Sequence, residues 1–489
     1  MNEDNKTDIK SKAISSFIWR FLERCGAQGV TFVVSIVLAR LLDPAVYGTI
    51  ALVTVFTAIL QVFVDSGLGN ALIQKKDADD LDFSSVFYFN MTMCIALYVI
   101  LFFFAPLIAS FYERPELVPV IRVIGLTLII SGVKNVQQAF VSRTLQFKRF
   151  FFATLGGTIG AAVVGISMAY FGFGVWALVA QQLFNATVDT IILWITVKWR
   201  PKRMFSFQRL KGLLKFGWKL LASALLHTVY TNLRSLIIGK MYSPEDLAYY
   251  DKGSSFPSII VTNINSSIDS VLLPTMSSVQ DKRDSVKAIT RRAIMTSSYI
   301  LWPLMIGLAV VAKPLLLLLL TEKWVMAVPF LQIVCINFAL EPLQTANLNA
   351  IKAMGRSDVF FKLEIIKKTI SISILLVFMR FGPLAIALSG AGYSVIATMF
   401  NASPNKKLLG YSYFEQIKDI FPSFLLAAVM GAVVYPIAFL PISLIFVLII
   451  QILVGALVYI VLSKVFALEA FQYVLDTVTN LIRKKRKAK

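Results

Sequence analysis

Two cationic side chains, Lys134 and Arg234, lie well inside long apolar stretches of this 489-residue chain. A charge surrounded by hydrocarbon is costly, so such residues usually face a helix-bundle interior or water and mark the path of a polar solute. An arginine can hold a phosphate with two parallel hydrogen bonds, and a lysine attracts it as a point charge. The sequence therefore predicts that Lys134 and Arg234 meet an anionic group such as a phosphate or a pyrophosphate.

Polar residues at helical spacing extend this pattern onto three predicted helices, because residues three or four positions apart share one helix face. The three faces comprise Arg20, Arg24, Gln28, Thr31 and Ser35; Ser131, Lys134, Gln137 and Gln138; and Ser223, His227, Tyr230, Thr231 and Arg234. From them we predict a substrate-binding set of Arg24, Gln28, Lys134, Gln138, His227 and Arg234. Two alternatives stay open. Arg20 and Arg24 could have no substrate role and simply extend their charges to the membrane interface. His227 could have no substrate role and simply form a hydrogen bond within the bundle.

Carboxylates in the same apolar stretches could bind a coupling ion, either a proton or Na⁺. Asp65 follows Gln61 by one helical turn, and Asp269 follows Asn265 at the same spacing. Glu341 lies in a polar cluster of its own. We predict Asp65, Asp269 and Glu341 as candidates for cation coupling. The alternative is that each of them pairs structurally with a base, and the same two roles are open to Asp189 and Glu364.

The chain offers little material for a metal site or for covalent catalysis. His227 is its one histidine, and the three cysteines, Cys25, Cys94 and Cys335, fall in apolar runs without metal-ligand spacing. The sequence also has no glycine-rich phosphate loop. We therefore predict no catalytic residue, no metal and no cofactor beyond a coupling ion, and we expect a protein that is not an enzyme.

The composition is that of a polytopic membrane protein, with 57% hydrophobic residues and a mean hydropathy of +0.74. Apolar runs of about 20 residues, long enough to cross a bilayer as helices, recur along the chain. We predict an all-α fold with about fourteen spans. They cover residues 14–38, 46–73, 84–110, 118–141, 150–171, 174–197, 216–238, 247–274, 293–320, 325–350, 362–380, 383–402, 420–440 and 442–465.

The basic residues predict the orientation of these spans. Lys and Arg concentrate in every second connection, for example at 198–215 and 282–292, whereas the alternate turns hold few. Because cytoplasmic loops collect basic residues, we expect both termini in the cytoplasm. This bias also accounts for the net charge of +21 without a nucleic acid partner.

An internal repeat divides the chain. The segment Ala39-Arg40-Leu41-Leu42-Asp43-Pro44 returns as Gly239-Lys240-Met241-Tyr242-Ser243-Pro244, and each cap-plus-proline pair predicts the start of a helix. Six spans per repeat give both copies the same orientation, as in transporters built from parallel repeats. The predicted domains are a cytoplasmic segment 1–12, an N-lobe 13–200, a basic linker 201–215, a C-lobe 216–405, two further spans in 420–465, and an amphipathic helix with a basic tail in 467–489.

The stretch Ser35–Gly48, followed by Asp65-Ser66-Gly67-Leu68-Gly69-Asn70, resembles the opening of bacterial polysaccharide exporters. These are the Wzx-type flippases of the multidrug/oligosaccharidyl-lipid/polysaccharide (MOP) exporter superfamily, and the similarity is greatest to colanic acid and teichuronic acid exporters. The resemblance implies a V-shaped fold of two lobes in the inner (cytoplasmic) membrane of a bacterium. It implies translocation of an undecaprenyl-pyrophosphate-linked repeat unit to the outer leaflet by alternating access. It also implies cavity cations that meet the pyrophosphate, here Arg24, Lys134 and Arg234, and a lipid-tail groove formed by 420–465.

Two other functions compete with this interpretation. One is a cation-coupled multidrug exporter of the same superfamily, which the acidic residues above would suit and the interior bases would not. The other is a membrane glycosyltransferase or polymerase, which usually needs a large extracytoplasmic loop, whereas the longest outside connection, near 111–118, is short.

The expected partners are the lipid-linked oligosaccharide, anionic lipids attracted by Arg483-Lys484-Lys485-Arg486-Lys487, and the polysaccharide polymerase machinery.

Overall fold

A computed structural model describes residues 3–65 and 68–487. It describes their side chains except at positions 3–18, 20, 21, 24, 215, 216, 478 and 481–487. The predicted substrate-binding side chain of Arg24, the alternative role of Arg20, and the basic tail from Arg483 to Lys487 lie outside the side chains so described.

Helices account for the regular structure of the described residues. In chain order they are α1 (Glu3–Leu41), α2 (Pro44–Asp65), α3 (Leu68–Gln74), α4 (Asp80–Phe111), α5 (Leu117–Arg143), α6 (Lys148–Tyr170), α7 (Val175–Thr196), α8 (Phe207–Met241), α9 (Pro244–Ser277), α10 (Arg283–Val310), α11 (Ala312–Leu320), α12 (Val328–Ala339), α13 (Glu341–Ala353), α14 (Ser357–Phe378), α15 (Pro383–Leu409), α16 (Tyr413–Val434), α17 (Leu444–Val465) and α18 (Glu469–Lys487). Short 3₁₀ helices lie at Glu322–Ala327 and Tyr435–Phe439. The predicted all-α fold class is confirmed.

Ten segments of the described chain are long and apolar enough to cross a membrane, by length and composition. They are Pro44–Gln74, Asp80–Phe111, Leu117–Arg143, Lys148–Tyr170, Val175–Thr196, Arg283–Val310, Glu322–Ala353, Pro383–Leu409, Tyr413–Phe439 and Leu444–Val465. The other four predicted spans coincide with α1, α8, α9 and α14, which are long helices of lower apolarity. Three of these four, α1, α8 and α9, carry predicted site residues, and those polar and charged residues reduce their apolarity.

Two predicted spans are interrupted by breaks that the hydropathy pattern did not show. The run 325–350 contains a 3₁₀ turn, α12 and α13, because Pro342 at the start of α13 has no amide hydrogen to continue the α12 ladder. The run 293–320 divides between α10 and α11 at Val311. In addition, α8 begins at Phe207, inside the predicted linker 201–215, since the Ser206 hydroxyl caps it by accepting from the Arg209 amide at 3.4 Å.

The chain divides into two compact units, residues 1–248 and 249–489. In the first unit a core of Leu72, Phe83, Val86, Leu193, Leu210 and their neighbours joins α3, α4, α7 and α8. Ion pairs between α4 and the residues before α4 and around the start of α8 accompany this core. The buried carboxylate of Asp82 accepts from Lys75 at 2.6 Å and from Arg209 at 3.3 Å, and Lys202 contacts Asp80 at 2.5 Å. The pKa of Asp79, which caps α4, lies below its ordinary value. The causes are the hydrogen bond that Asp79 accepts from the Asp82 amide and the nearby charges of Arg209 and Lys75.

The repeated turns meet in the first unit. Gly48 of α2 packs so closely against the first residue of α9 that an added Cβ would lie 1.8 Å from the Pro244 carbonyl oxygen. Both predicted helix starts are observed, at Pro44 and Pro244. Ser243 forms a capping box with Asp246: its hydroxyl accepts from the Asp246 amide at 3.0 Å, and the Asp246 carboxylate accepts from the Ser243 amide at 3.2 Å.

The second unit contains two apolar clusters and a buried amide network. One cluster joins α9, α10, α13 and α16, and the other joins α10, α16, α17 and α18 through Tyr299, Met430 and Tyr459. Between α13, α15 and α16, the side chains of Asn347, Asn405 and Gln416 are fully buried. The Asn347 amide donates to Gln416 at 2.7 Å, and the Asn405 amide donates to Asn347 at 2.6 Å. Such a network fixes the positions of the three helices relative to one another.

The C-terminal helix α18 lies where an amphipathic helix was predicted at 467–482. Phe471 and Val474 pack into the Tyr299 cluster, whereas Leu475 is exposed. On the polar side, Arg291 of α10 is held by Asp419 of α16 at 2.9 Å and by Glu469 of α18 at 3.2 Å. The remaining residues of the predicted apolar face, Val478 and Leu481, lie outside the described side chains.

Candidate functional site

An ion pair inside the first unit connects two membrane helices. Lys134 Nζ of α5 lies 2.9 Å from Asp189 Oδ2 of α7, with side-chain exposures of 19% and 13%. The helix face predicted from spacing thus holds Lys134 in a partly buried position, and its charge has a specific partner. Of the two alternatives considered for Asp189, the structure shows the pairing with a base.

Asp65, at the end of α2, lies next to this pair. Its Oδ1 accepts from Asn135 Nδ2 of α5 at 3.3 Å and from Gln61 Nε2, one turn earlier on α2, at 3.4 Å. Asn135 directly follows Lys134, so the structure brings Asp65 of α2 to α5 at the residue next to the Lys134–Asp189 pair.

In the second unit the other two predicted acidic residues bind amides. Glu341 Oε2 accepts from Asn265 Nδ2 at 2.5 Å, and Asp269 Oδ1 accepts from Asn349 Nδ2 at 2.5 Å, so both pairs join α9 to α13. Glu341 is the first residue of α13, where the positive end of the helix dipole favours its negative charge. A carboxylate with amide donors but no base can exchange a proton or a cation without breaking an ion pair.

Both halves of the repeat contain a carboxylate–amide contact between the second and the fourth span. The span that supplies the carboxylate in one half supplies the amide in the other. In the first half the second span supplies the carboxylate, Asp65, and the fourth span supplies the amide, Asn135. In the second half the second span supplies the amide, Asn265, and the fourth span supplies the carboxylate, Glu341. The internal repeat has an offset of 200 residues, which aligns Asp65-Ser66 with Asn265-Ser266, so the contact belongs to the repeated architecture.

The remaining predicted site residues differ in exposure. Gln28 on α1 and His227 on α8 are exposed, whereas Gln138 on α5 and Arg234 on α8 are half-buried. Gln138 lies one helical turn beyond Lys134. The main-chain carbonyl of His227 accepts from the Thr231 hydroxyl at 3.0 Å. Glu364 pairs with a base, since its carboxylate lies 2.5 Å from the ammonium of the buried Lys367.

Spacing along the sequence identified the faces but missed the amide partners. Asn135 and Asn349 were not among the predicted site residues, although each adjoins a predicted polar cluster, and Asn135 directly follows Lys134. Among the residues that the structure describes, no group of three or more His, Cys, Asp or Glu side chains could hold a metal ion. The arrangement can bind an anion through its cations and a monovalent cation or proton through its carboxylates.

Comparisons with known proteins agree with this architecture. The family model described as "Polysaccharide biosynthesis protein" matches residues 37–329. The "Succinoglycan biosynthesis transport protein ExoT" of Rhizobium meliloti (strain 1021) is 24% identical over 355 residues, covering 72% of each chain. The "Lipopolysaccharide biosynthesis protein WzxC" of Escherichia coli (strain K12) is 23% identical over 423 residues, covering 86% of each chain.

A solved structure shows the same fold. The lipid II flippase MurJ in an inward closed conformation superimposes with a TM-score of 0.73 at 16% identity, covering 93% of this chain and 98% of that one. The predicted resemblance to polysaccharide exporters and the predicted transporter fold are confirmed. The chain belongs to the polysaccharide biosynthesis protein family.

Proposed function

We propose that this protein is a flippase that moves an undecaprenyl-pyrophosphate-linked oligosaccharide repeat unit from the cytoplasmic to the outer leaflet for surface polysaccharide biosynthesis. Family membership, a relative named as a biosynthesis transport protein and the fold shared with a lipid II flippase support the proposal. The function is transport, and no covalent step is required of the protein.

The physical task explains the polar interior. A sugar-pyrophosphate headgroup loses its hydration in hydrocarbon, at a cost of several kcal/mol for each unsatisfied polar group. Polar and cationic helix faces replace that hydration while the lipid tail stays in the bilayer. The observation that carries the proposal is Lys134, a partly buried cation held 2.9 Å from Asp189 within an apolar span. Transport then proceeds by alternating access of the two repeat halves, 13–200 and 216–405.

The roles of individual residues follow from their chemistry. We assign the pyrophosphate to the cations Arg24, Lys134 and Arg234, and the sugar hydroxyls to Gln28, Gln138 and His227. Lys134 would exchange Asp189 for a phosphate oxygen when substrate arrives, so that its charge is paired in both states. An exchange of this kind avoids leaving a lysine unpaired at low dielectric.

Coupling to an ion gradient is assigned to the carboxylates bound by amides. Asp65, Asp269 and Glu341 accept from Asn135, Asn349 and Asn265 respectively. Binding of H⁺ or Na⁺ to one of them would cancel its charge without breaking a salt bridge. We place both termini in the cytoplasm, on the basis of the basic connections, and expect anionic lipids and the polysaccharide polymerase machinery as partners.

Transfer of a reporter-labelled lipid-pyrophosphate oligosaccharide between leaflets of liposomes tests the proposal. Liposomes with the full-length protein are expected to transfer the lipid faster than protein-free liposomes, and a lipid with the same tail but a zwitterionic headgroup is expected to stay behind. Absence of transfer, together with efflux of a cationic dye driven by a H⁺ or Na⁺ gradient, would instead identify a multidrug exporter.

A further inference from the structure

A long cavity in the second unit has no lining residue in common with the site described above. Its volume is about 910 Å³, and α9, α10 and α18 line it. The wall is mainly aliphatic, with Ile264, Ile268 and Val271 from α9 and Ile289 and Ile300 from α10. Val271 is 65% exposed despite its apolar side chain. We call this cavity the α9–α10 groove.

One cation stands at the end of this groove nearer the α9–α10 connection. Arg292 lines it, and its guanidinium carbon lies 4.7 Å from the ring centroid of Tyr473 on α18. Among the side chains that the structure describes, no carboxylate lies within ion-pair distance of Arg292. Its neighbour Arg291 differs, since Asp419 and Glu469 both bind it. Within the described part of the chain, the guanidinium of Arg292 thus has no direct carboxylate partner and can pair with an anion.

The adjoining polar surface contains both cations and carboxylates. A smaller cavity of about 280 Å³ shares Arg292 and is lined by Asp284, Lys287, Arg291 and Glu469. Arg291 binds Glu469, and Lys287 donates to the Gly410 carbonyl oxygen at 2.6 Å. Because Arg292 is exposed and stacked on Tyr473, it is the cation placed to receive an anion from the groove side.

The length of the groove limits what can occupy it. Its lining residues run from Asn263 to Thr275 on α9 and from Ala288 to Ile300 on α10. At a rise of about 1.5 Å per residue, each wall is about 18 Å long. That is close to half of the roughly 30 Å hydrocarbon thickness of a bilayer, the depth of one leaflet. An acyl chain of an ordinary phospholipid fits this depth, whereas a polyprenyl chain longer than one leaflet does not.

We propose that the α9–α10 groove binds one anionic phospholipid of the bilayer. Its phosphate is paired with Arg292 beside Tyr473, and one acyl chain lies between α9 and α10. Because Tyr473 belongs to α18, the bound lipid also holds the C-terminal helix against α10. The site shares no lining residue with the proposed transport site and does not depend on the identity of the transported molecule.

Lipid titration of the purified full-length protein tests this site. After removal of copurified lipid in detergent, binding of dioleoylphosphatidylglycerol and of dioleoylphosphatidylcholine is measured by native mass spectrometry. We expect the wild type to prefer the anionic lipid. Arg292→Gln is expected to weaken phosphatidylglycerol binding about fivefold or more, the value of roughly one membrane-surface cation. Inorganic phosphate at the same concentration should not displace the lipid.

Two further variants separate this site from general surface charge. Lys418→Gln removes an exposed charge from the first turns of α16 that does not line the groove, and should retain wild-type affinity. Val271→Trp keeps Arg292 but fills the groove, and should weaken binding of the long-chain lipid. Equal binding by wild type and Arg292→Gln, equal losses in Arg292→Gln and Lys418→Gln, or unchanged binding in Val271→Trp would overturn the proposal. Thermal unfolding in phosphatidylcholine alone establishes that each variant is folded. A failed leaflet-transfer experiment would leave these lipid-binding results unaffected.

Discussion

Lys134 and Asp189, 55 residues apart, form an ion pair of 2.9 Å that connects α5 to α7 inside the membrane-spanning part of the first unit. Asp65 accepts hydrogen bonds from Asn135, the residue after Lys134, and from Gln61. The charge of Lys134 can be neutralised by Asp189 or, in the proposed function, by a phosphate oxygen of the substrate. This makes the pair both a structural contact and the element of the proposed site that can change partner.

Removing one member of this pair should destabilise the protein. Lys134→Met leaves the Asp189 carboxylate without its base. We expect the free energy of unfolding to fall by about 2–3 kcal/mol, somewhat less than the roughly 3–5 kcal/mol for breaking fully buried pairs, because both groups retain some exposure. Chemical unfolding in detergent, followed by tryptophan fluorescence, measures the change.

The double variant Lys134→Met/Asp189→Leu distinguishes the structural role from the transport role. With both charges gone, stability should return to within about 1 kcal/mol of the wild type, since an apolar pair can replace a buried ion pair. Transfer of the lipid-linked substrate should nevertheless stay low. Recovery of transfer together with stability would show that Lys134 only holds the fold.

The carboxylate–amide contacts predict a separable effect on coupling. Asp65→Asn and Glu341→Gln keep an oxygen that accepts from Asn135 or Asn265 but remove the charge. Folding should therefore be preserved, while the stimulation of transfer by a H⁺ or Na⁺ gradient should disappear in at least one variant. Transfer rates measured with and without each gradient test this. Full gradient stimulation in both variants and in Asp269→Asn would remove these residues from the coupling role.

The close approach of the two repeated turns predicts intolerance at one glycine. In Gly48→Ala the new Cβ would meet the Pro244 carbonyl oxygen, a backbone atom that cannot rotate away. We expect a loss of roughly 1–3 kcal/mol from overpacking. Gly29→Ala is the matched control, because a Cβ there meets nothing within 4 Å and the alanine favours the helix. Equal thermal stability of the two variants would contradict the contact.

The salt-bridge network of Arg291 should determine how firmly α18 is held. Arg291→Gln removes the ion pairs to both Asp419 and Glu469. We expect amide hydrogen exchange in α18 to become about tenfold faster, which corresponds to about 1.4 kcal/mol of local stability. Arg356→Gln is the control, since Arg356 pairs with Asp358, two residues away, at 2.9 Å. Unchanged exchange in Arg291→Gln would mean that the apolar contacts of Phe471 suffice.

Local signals in the sequence predicted local structure well. Proline after a capping residue predicted the helix starts at Pro44 and Pro244, and apolar periodicity predicted helices throughout. Polar spacing also placed Lys134 on an inward face. These features depend on neighbours within one or two helical turns, which the sequence displays directly.

Features that depend on which helices pack together were harder to predict. Helical spacing does not show that α7 lies beside α5. The sequence therefore indicated that Asp189 could pair with a base, but not that the base is Lys134. The break before Glu341 escaped notice because hydropathy is continuous through 325–350, although Pro342 was the signal. The amide donors Asn135 and Asn349 were missed for the same reason, since their carboxylate partners lie on other helices.

In the proposed function, cations within the membrane helices bind the pyrophosphate of the substrate. The initial rate of leaflet transfer of a lipid-pyrophosphate oligosaccharide tests this claim most directly. Arg234→Gln is compared with Arg122→Gln, in which the lost arginine stacks on Phe102 with a guanidinium-to-ring distance of 4.0 Å and is not part of the proposed site. We predict a rate at least about tenfold lower for Arg234→Gln, as expected for loss of a charge-assisted phosphate contact of roughly 1.5–3 kcal/mol, and a wild-type rate for Arg122→Gln. Equal rates for Arg234→Gln and the wild type, with both proteins folded, would contradict the claim.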